Sequence, residues 1–297
     1  MVFSSNKTID RTVELASAFG IPHIIIGFIL IALGTDLPEI VNSIISSYLG
    51  HIDINVGDSL GSVLSQATLI LGLLPFIGGE LKIKKKETKI IGCCLLLSLI
   101  ILFSVFEKGT FTRVDAFFLI CSWILLAFIT STIAEKEDIN FIDQSIYAKN
   151  KITNLLFILL GMAGIGLGSY IVVESVVFLA KGFQIPEFFI SFFMVGIGTS
   201  LPELVVDISA IRKKHYDLAI GDILGSCLVD ATFSIGIGQF LFPQAVSTII
   251  YTQMILYTIL VTFIVILLIS FHKKIDRKVG TILIFLYLFS FAFMFLN

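Results

Sequence analysis

The sequence predicts an all-α protein that crosses a membrane many times. Three observations predict it. The mean hydropathy is +1.02. Apolar residues make up 57% of the 297 positions and charged residues 14%. The apolar residues also come in long, charge-poor runs rather than in short amphipathic stripes. A helix needs about 20 apolar residues to cross a bilayer, and no Asp, Glu, Lys or Arg occurs between Ala231 and Phe271. Phe242, Pro243 and Gln244 put a turn near one third of that run, so it reads as two spans.

Further spans are expected at roughly 20–48, 54–80, 90–106, 115–134, 152–180, 185–211, 218–241 and 279–296, about nine in all. Residues 1–20 carry Lys7, Asp10, Arg11 and Glu14 and lack an apolar core followed by small residues, so no cleavable signal peptide is expected. A net charge of −2 gives no case for nucleic acid. Cys93, Cys94, Cys121 and Cys227 lie inside apolar spans, without the spacing of a disulfide framework or a zinc site. No cofactor and no enzymatic chemistry are expected.

Basic residues orient the spans, because loops rich in Lys and Arg face the cytoplasm. With Lys82, Lys84, Lys85, Lys86 and Lys89 inside, strict alternation leaves only Lys108, Arg113 and Lys181 outside, so seventeen of the twenty Lys and Arg agree with one span count. The chain is therefore expected in a cell membrane with its basic loops cytoplasmic.

The sequence is duplicated. Residues 34–76 align without a gap to 198–240, and nineteen of the 43 positions are identical. GTDLPE at 34–39 matches GTSLPE at 198–203, and GDSLGS at 57–62 matches GDILGS at 221–226. The predicted topology gives the two copies opposite orientations. Inverted repeats of this kind build transporters with a midplane site on interrupted helices.

What is duplicated suits a cation. Asp36, Glu39, Asp58, Glu203, Asp222 and Asp230 sit within apolar spans with no Lys or Arg close in sequence. A charge at the bilayer centre costs roughly 2.5–3.5 kcal/mol on insertion scales, so these acids hold protons or receive cations. Thr35 and Glu39 are spaced i, i+4, as are Thr199 and Glu203, with Asp36 and Ser200 between them. Asp58, Ser62 and Gln66 form a column of oxygens on the partner helix, and Asp222, Ser226 and Asp230 form the second column. Pro38 and Pro202 lack an N–H, which frees the carbonyls of Gly34 and Gly198 and opens the turn around Thr35 and Thr199. Free carbonyls at membrane depth are tolerated where they line a cavity. This all-oxygen set fits Ca2+, which takes six to eight oxygen ligands, and lacks the His and Cys expected for Zn2+ or Cu+.

Other features carry simpler readings. Gly57, Gly61, Gly221 and Gly225 suit close helix packing. His51 and His215 are expected as exposed loop residues, and Asp53 and Asp217 as helix caps or surface charges. Asp207, one turn past Glu203, either lines an inner vestibule or is solvated. An intramembrane aspartyl protease would also pair Asp residues on neighbouring helices. Its Gly-x-Gly-Asp motif, however, needs Gly where Asn55 and Ala219 stand. A passive cation channel would differ from a transporter in lacking saturation and coupling.

GTxLPE followed by GDxxGS, present twice, resembles the cation/Ca2+ exchanger superfamily, and most of all its prokaryotic sodium/calcium exchanger branch. The resemblance implies an inverted-repeat exchanger fold of two five-helix halves: 1–134, a linker at 135–151, and 152–297. Nothing in the first half corresponds to 152–167, so its first helix is expected to be largely missing. The resemblance also implies an antiporter in which Na+ and Ca2+ compete at one central site. Glu39 and Glu203 would be the central Ca2+ ligands, aided by the carbonyls of Thr35 and Thr199. Ser62, Ser200 and Ser226 would be flanking Na+ ligands, with Asp230 beside the centre and Gln66 where the family usually has Asn. Asp36 stands where the family commonly has a small hydroxyl residue. Asp58 and Asp222, where Asn is frequent, are candidates for additional ligands. These extra acids raise H+/Ca2+ antiport as the alternative.

Overall fold

A computed structural model describes residues 31–133, 170–244 except 172, and 248–295 except 273. The expected linker at 135–151 and the first-helix segment lie outside the described residues.

The described residues are helical almost throughout. α1 (Ala32–Thr35) and α2 (Leu37–Leu49) form one span broken at Asp36, and α3 (Ile52–Leu64) and α4 (Leu71–Gly78) form the next. α5 (Lys85–Glu107) and α6 (Arg113–Ile133) are uninterrupted. A helix at 173–183, here α7, precedes α8 (Glu187–Ile190). α9 (Gly196–Thr199) and α10 (Leu201–Arg212) continue that second broken span. α11 (Tyr216–Val229), α12 (Ile235–Leu241), α13 (Thr248–Phe271) and α14 (Arg277–Phe295) complete the order. The expected turn at Phe242–Gln244 does separate α12 from α13. One addition to the all-α expectation is a two-residue ribbon, in which β1 (Leu81–Lys82) pairs antiparallel with β2 (Lys274–Ile275). Lys274 Nζ lies 2.6 Å from Glu80 Oε1 beside it.

The repeat is visible in the backbone. Each broken span loses helical geometry at equivalent residues, Asp36 (φ −75°, ψ 3°) and Ser200 (φ −78°, ψ 6°), with Pro following in the first turn of the next helix. Proline is well placed there, because the first turn of a helix has unpaired N–H groups in any case. Each motif hairpin closes with a left-handed residue, Gly50 (φ 91°) and Lys214 (φ 64°). His51 N then donates to Ser46 O, and His215 N to Ala210 O, each at 2.8–2.9 Å, the bond that ends many helices. Each second motif helix carries a π-helical turn, at Ser65–Ile70 and at Asp230–Ser234.

Among the described residues, six helical stretches are long and apolar enough to cross a membrane. The two that carry GDSLGS and GDILGS are the most enclosed, with 78% and 94% of their central windows buried against 33–50% for the other four. The acid-bearing spans therefore sit at the centre of the bundle. The outer helices turn large apolar side chains outward, among them Phe117, Phe118 and Leu125 on α6 and Phe285 and Phe289 on α14. An apolar surface of that extent suits lipid.

Glycines set how closely the centre packs. A Cβ on Gly61 would fall 2.0 Å from the Phe192 carbonyl oxygen, and one on Gly196 would fall 2.7 Å from the Gly61 carbonyl carbon. The packing expected of Gly57 and Gly61 is thus observed, against residues 188–196. For Gly221 and Gly225 the equivalent partners, near residues 24 and 28, lie outside the described residues. α1 packs on α11 and α9 on α3, so each broken turn rests on the second motif helix of the other half.

Candidate cation site

Because Asp36 and Ser200 interrupt their spans, the residues that follow turn into the centre of the bundle. Asp36, Glu39 and Glu203 each contribute a carboxylate oxygen lying within 4.8 Å of the other two. All three side chains are fully buried. Among the described residues, none of their six carboxylate oxygens has a hydrogen-bond partner. Two like charges about 4 Å apart repel by roughly 4 kcal/mol at an effective dielectric near 20. Burying each adds several kcal/mol more unless it is paired. Hydrogen bonds worth about 1 kcal/mol each could not balance such a cluster. The described ion pairs, Lys84–Asp217, Lys108–Asp115, Lys274–Glu80 and His51–Glu187, stand away from it at segment ends.

Around the triad the predicted polar residues form a network that crosses between the halves. Gln66 Nε2 donates to Ser200 Oγ and to Asp230 Oδ2, both at 3.3 Å, and Cys227 Sγ donates to Gln66 Oε1 at 3.4 Å. Ser62 and Ser200 both donate to the Gly196 carbonyl, at 3.2 and 2.7 Å. Each hydroxyl oxygen keeps lone pairs for another partner. Thr199 Oγ1 lies 3.4 Å from Ser62 Oγ. Asp230 is fully buried within electrostatic range of Glu39, Asp58 and Glu203. Ser226 is fully buried beside Asp36. The Thr35 hydroxyl donates back to the Ile31 and Ala32 carbonyls at 3.1 and 3.2 Å.

Asp58 differs from the triad. Its Oδ2 accepts from Asn42 Nδ2 at 2.6 Å and its Oδ1 from Thr199 Oγ1 at 2.8 Å. Both oxygens are engaged, so Asp58 braces the site instead of opening a face to it. Asp222 is not one of the three clustered acids but lies within electrostatic range of Asp36 and Glu203, and it adjoins Asp207, which is fully buried rather than solvated. Asn42 is a structural partner that the sequence reading passed over. Its spacing of three from Glu39 on α2 was the available signal.

Two smaller expectations change. His51 is only partly exposed, and its Nδ1 lies 2.8 Å from Glu187 Oε2. Asp53 makes no capping bond, and it accepts from the Tyr251 hydroxyl. The cysteines are all free, as their placement implied.

The family model described as "Sodium/calcium exchanger protein" matches residues 1–132 and 153–296. The chain belongs to the sodium/calcium exchanger protein family. As a member of this family it is a membrane transporter and not an enzyme. It is 28% identical to the inner membrane protein YrbG of Escherichia coli over 90% of this chain and 85% of that one. It is 24% identical to the sodium/calcium exchanger MaX1 of Methanosarcina acetivorans, over 97% and 93% of the two chains. A solved structure of the sodium-calcium exchanger NCX_Mj, soaked with Na+ and Ca2+, covers 98% of this chain with a TM-score of 0.73 at 24% identity. That likeness establishes that this family member has the exchanger fold.

Proposed function

We propose that the chain is a secondary antiporter that exchanges Na+ for Ca2+ across a cell membrane, with its basic loops in the cytoplasm. The observation that carries this reading is the triad Asp36, Glu39 and Glu203, whose six buried oxygens have no hydrogen-bond partner among the described residues. Ca2+ binds carboxylate, carbonyl and hydroxyl oxygens, which is the donor set gathered here. Glu39 and Glu203 serve as its central ligands with the carbonyls of Thr35 and Thr199. Ser62, Ser200 and Ser226 serve Na+, and Gln66 and Asp230 complete the wall. Residues 1–134 and 152–297 act as two halves that rock about this centre, exposing the same acids to one side and then the other. Movement with the site empty is disfavoured, because it carries uncompensated charge through the occluded state.

The proposal is tested in proteoliposomes. Na+-driven 45Ca2+ uptake is expected in the intact protein and is lost in Glu39→Gln and in Glu203→Gln. Unchanged uptake in both variants would exclude the assignment.

One observation favours a second coupling ion. Asp36 adds a third carboxylate to the triad, so three negative charges meet the two positive charges of Ca2+. A proton on the cluster balances that remainder. On this reading a pH jump without Na+ drives Ca2+ flux. If Na+ is the coupling ion, the same jump drives none.

A further inference from the structure

Residues 164 apart are equivalents in the repeat, and two such pairs touch each other. Gln66 Nε2 lies 3.3 Å from Asp230 Oδ2, and Cys227 Sγ lies 3.6 Å from the Val63 carbonyl. Equivalent residues meet where the two halves face one another, so both pairs stand on the seam between them. The halves are unlike at this seam. Gln stands against Asp, and Cys against Val. Gln66, Ser200, Cys227 and Asp230 are all fully buried.

The neighbours of Gln66 fix which way its amide points. An ionised carboxylate only accepts, so Asp230 calls for the NH2 end. The same NH2 reaches Ser200 Oγ at 3.3 Å. Ser200 spends its own proton on the Gly196 carbonyl at 2.7 Å, so it too accepts from Gln66. The other end of the amide, Oε1, is left facing Cys227 Sγ at 3.4 Å. A buried carbonyl needs a donor, and a thiol is a weak one. We propose that Cys227 is a positioning residue: its thiol holds the Gln66 carbonyl out of the ion path and so sets how tightly the flanking position takes Na+. With the amide held this way, an ion arriving at Ser200 meets N–H groups, which repel it. Turned half a revolution, the same amide offers that ion a neutral oxygen. The position equivalent to Cys227 is Val63, which has no side-chain donor for Asp230, so the hold acts on the Gln66 side alone. Glu39 and Glu203 bind through their own oxygens and do not depend on it.

The proposal rests on the reading that the site exchanges Na+ for Ca2+, and one titration separates the two. The full chain, purified in detergent, is loaded with 45Ca2+, and Na+ is added until half is displaced. Cys227→Val installs the residue that the first half carries there. It is expected to lower the Na+ needed by about threefold or more, with the 45Ca2+ dissociation constant changed by less than about twofold. Cys227→Ser keeps a donor and is expected to match the parent. In Gln66→Leu protein, Cys227→Val is expected to change nothing further, because the thiol acts through the amide. Cys227→Ala, which removes the donor without adding volume, is read in the same way where Cys227→Val lowers the yield of folded protein. The positioning role is overturned, and exchange left standing, by an unchanged Na+ requirement in Cys227→Val and Cys227→Ala, by a parallel shift in both ions, or by Cys227→Ser behaving like Cys227→Val. If the intact protein binds no 45Ca2+, or Na+ displaces none, both readings are overturned.

Discussion

Residues of one type carry different duties here according to their hydrogen-bond partners. Among the described residues, Asp36, Glu39 and Glu203 present six unpartnered oxygens, whereas Asp58 has a donor on each of its two. Asp58→Asn should therefore weaken the fold more than it weakens ion binding. An Asn side chain offers one acceptor where two donors converge, and an orphaned buried donor costs about 1–3 kcal/mol. The expected outcome is a lower melting temperature with 45Ca2+ affinity changed less than about threefold, an interaction change under roughly 1 kcal/mol. A large loss of affinity in folded protein would make Asp58 a ligand after all. Asp36 invites the opposite substitution. Asp36→Ser gives the first half the residue that Ser200 supplies in the second, and it removes one negative charge from the triad. Flux driven by a pH gradient should fall more than flux driven by Na+, read side by side in the same vesicles.

Most of the proposed ligand set was legible at this scale. Carboxylates inside apolar spans have few physical justifications, and the duplicated motifs named them. The partners were harder to read. Asn42 and Asp58 lie sixteen residues apart on opposite arms of a hairpin, and no local pattern joins them. The burial of Asp207 was equally hidden, because one turn past a motif the sequence does not distinguish vestibule from solvent.

At the scale of the helix, the centre depends on backbone-to-backbone approach. Gly61 and Gly196 leave no room for a Cβ against each other's segment, with the Phe192 carbonyl 2.0 Å from where a Gly61 Cβ would be. Gly61→Ala should force the α3 helix away from residues 188–196. Overpacking of a tight contact costs about 1–3 kcal/mol, and here the obstacle is backbone, which yields little. A clear fall in melting temperature and in recovered folded protein is expected. Gly182→Ala is the control, since nothing lies within 4 Å of its added Cβ. It should match or slightly exceed the parent, because Ala favours a helix over Gly by about 1 kcal/mol. The sequence announced the glycine spacing but not the π-helical turns at Ser65–Ile70 and Asp230–Ser234. Such turns depend on which neighbours the two ends of a span must meet, and they leave no mark in hydropathy.

For the whole molecule, the repeat predicted the plan. Broken spans, left-handed closures and π-helical turns recur at equivalent positions. The broken turn of each half packs on the other half, so neither half is complete as a site without its partner. Sidedness can be checked directly. Lys108 and Lys278 are both exposed and belong to loops that the charge count assigns to opposite faces. Lys108→Cys should react with an impermeant maleimide added outside intact cells, and Lys278→Cys only after the cells are opened. The same sidedness for both would break the span count. The small β1–β2 ribbon escaped the sequence reading, because two-residue strands carry no periodic signal.

The π-helical turn between α3 and α4 has a consequence for how such a protein can change over time. One surplus residue rotates everything beyond it by roughly 100° about the helix axis. The stretch ahead of it can therefore stay aimed at the acids while the stretch behind is free to suit α14, against which α4 packs. Ion chemistry and outer seams then become separately adjustable along a single rod, and a family can alter its periphery without re-aiming its carboxylates.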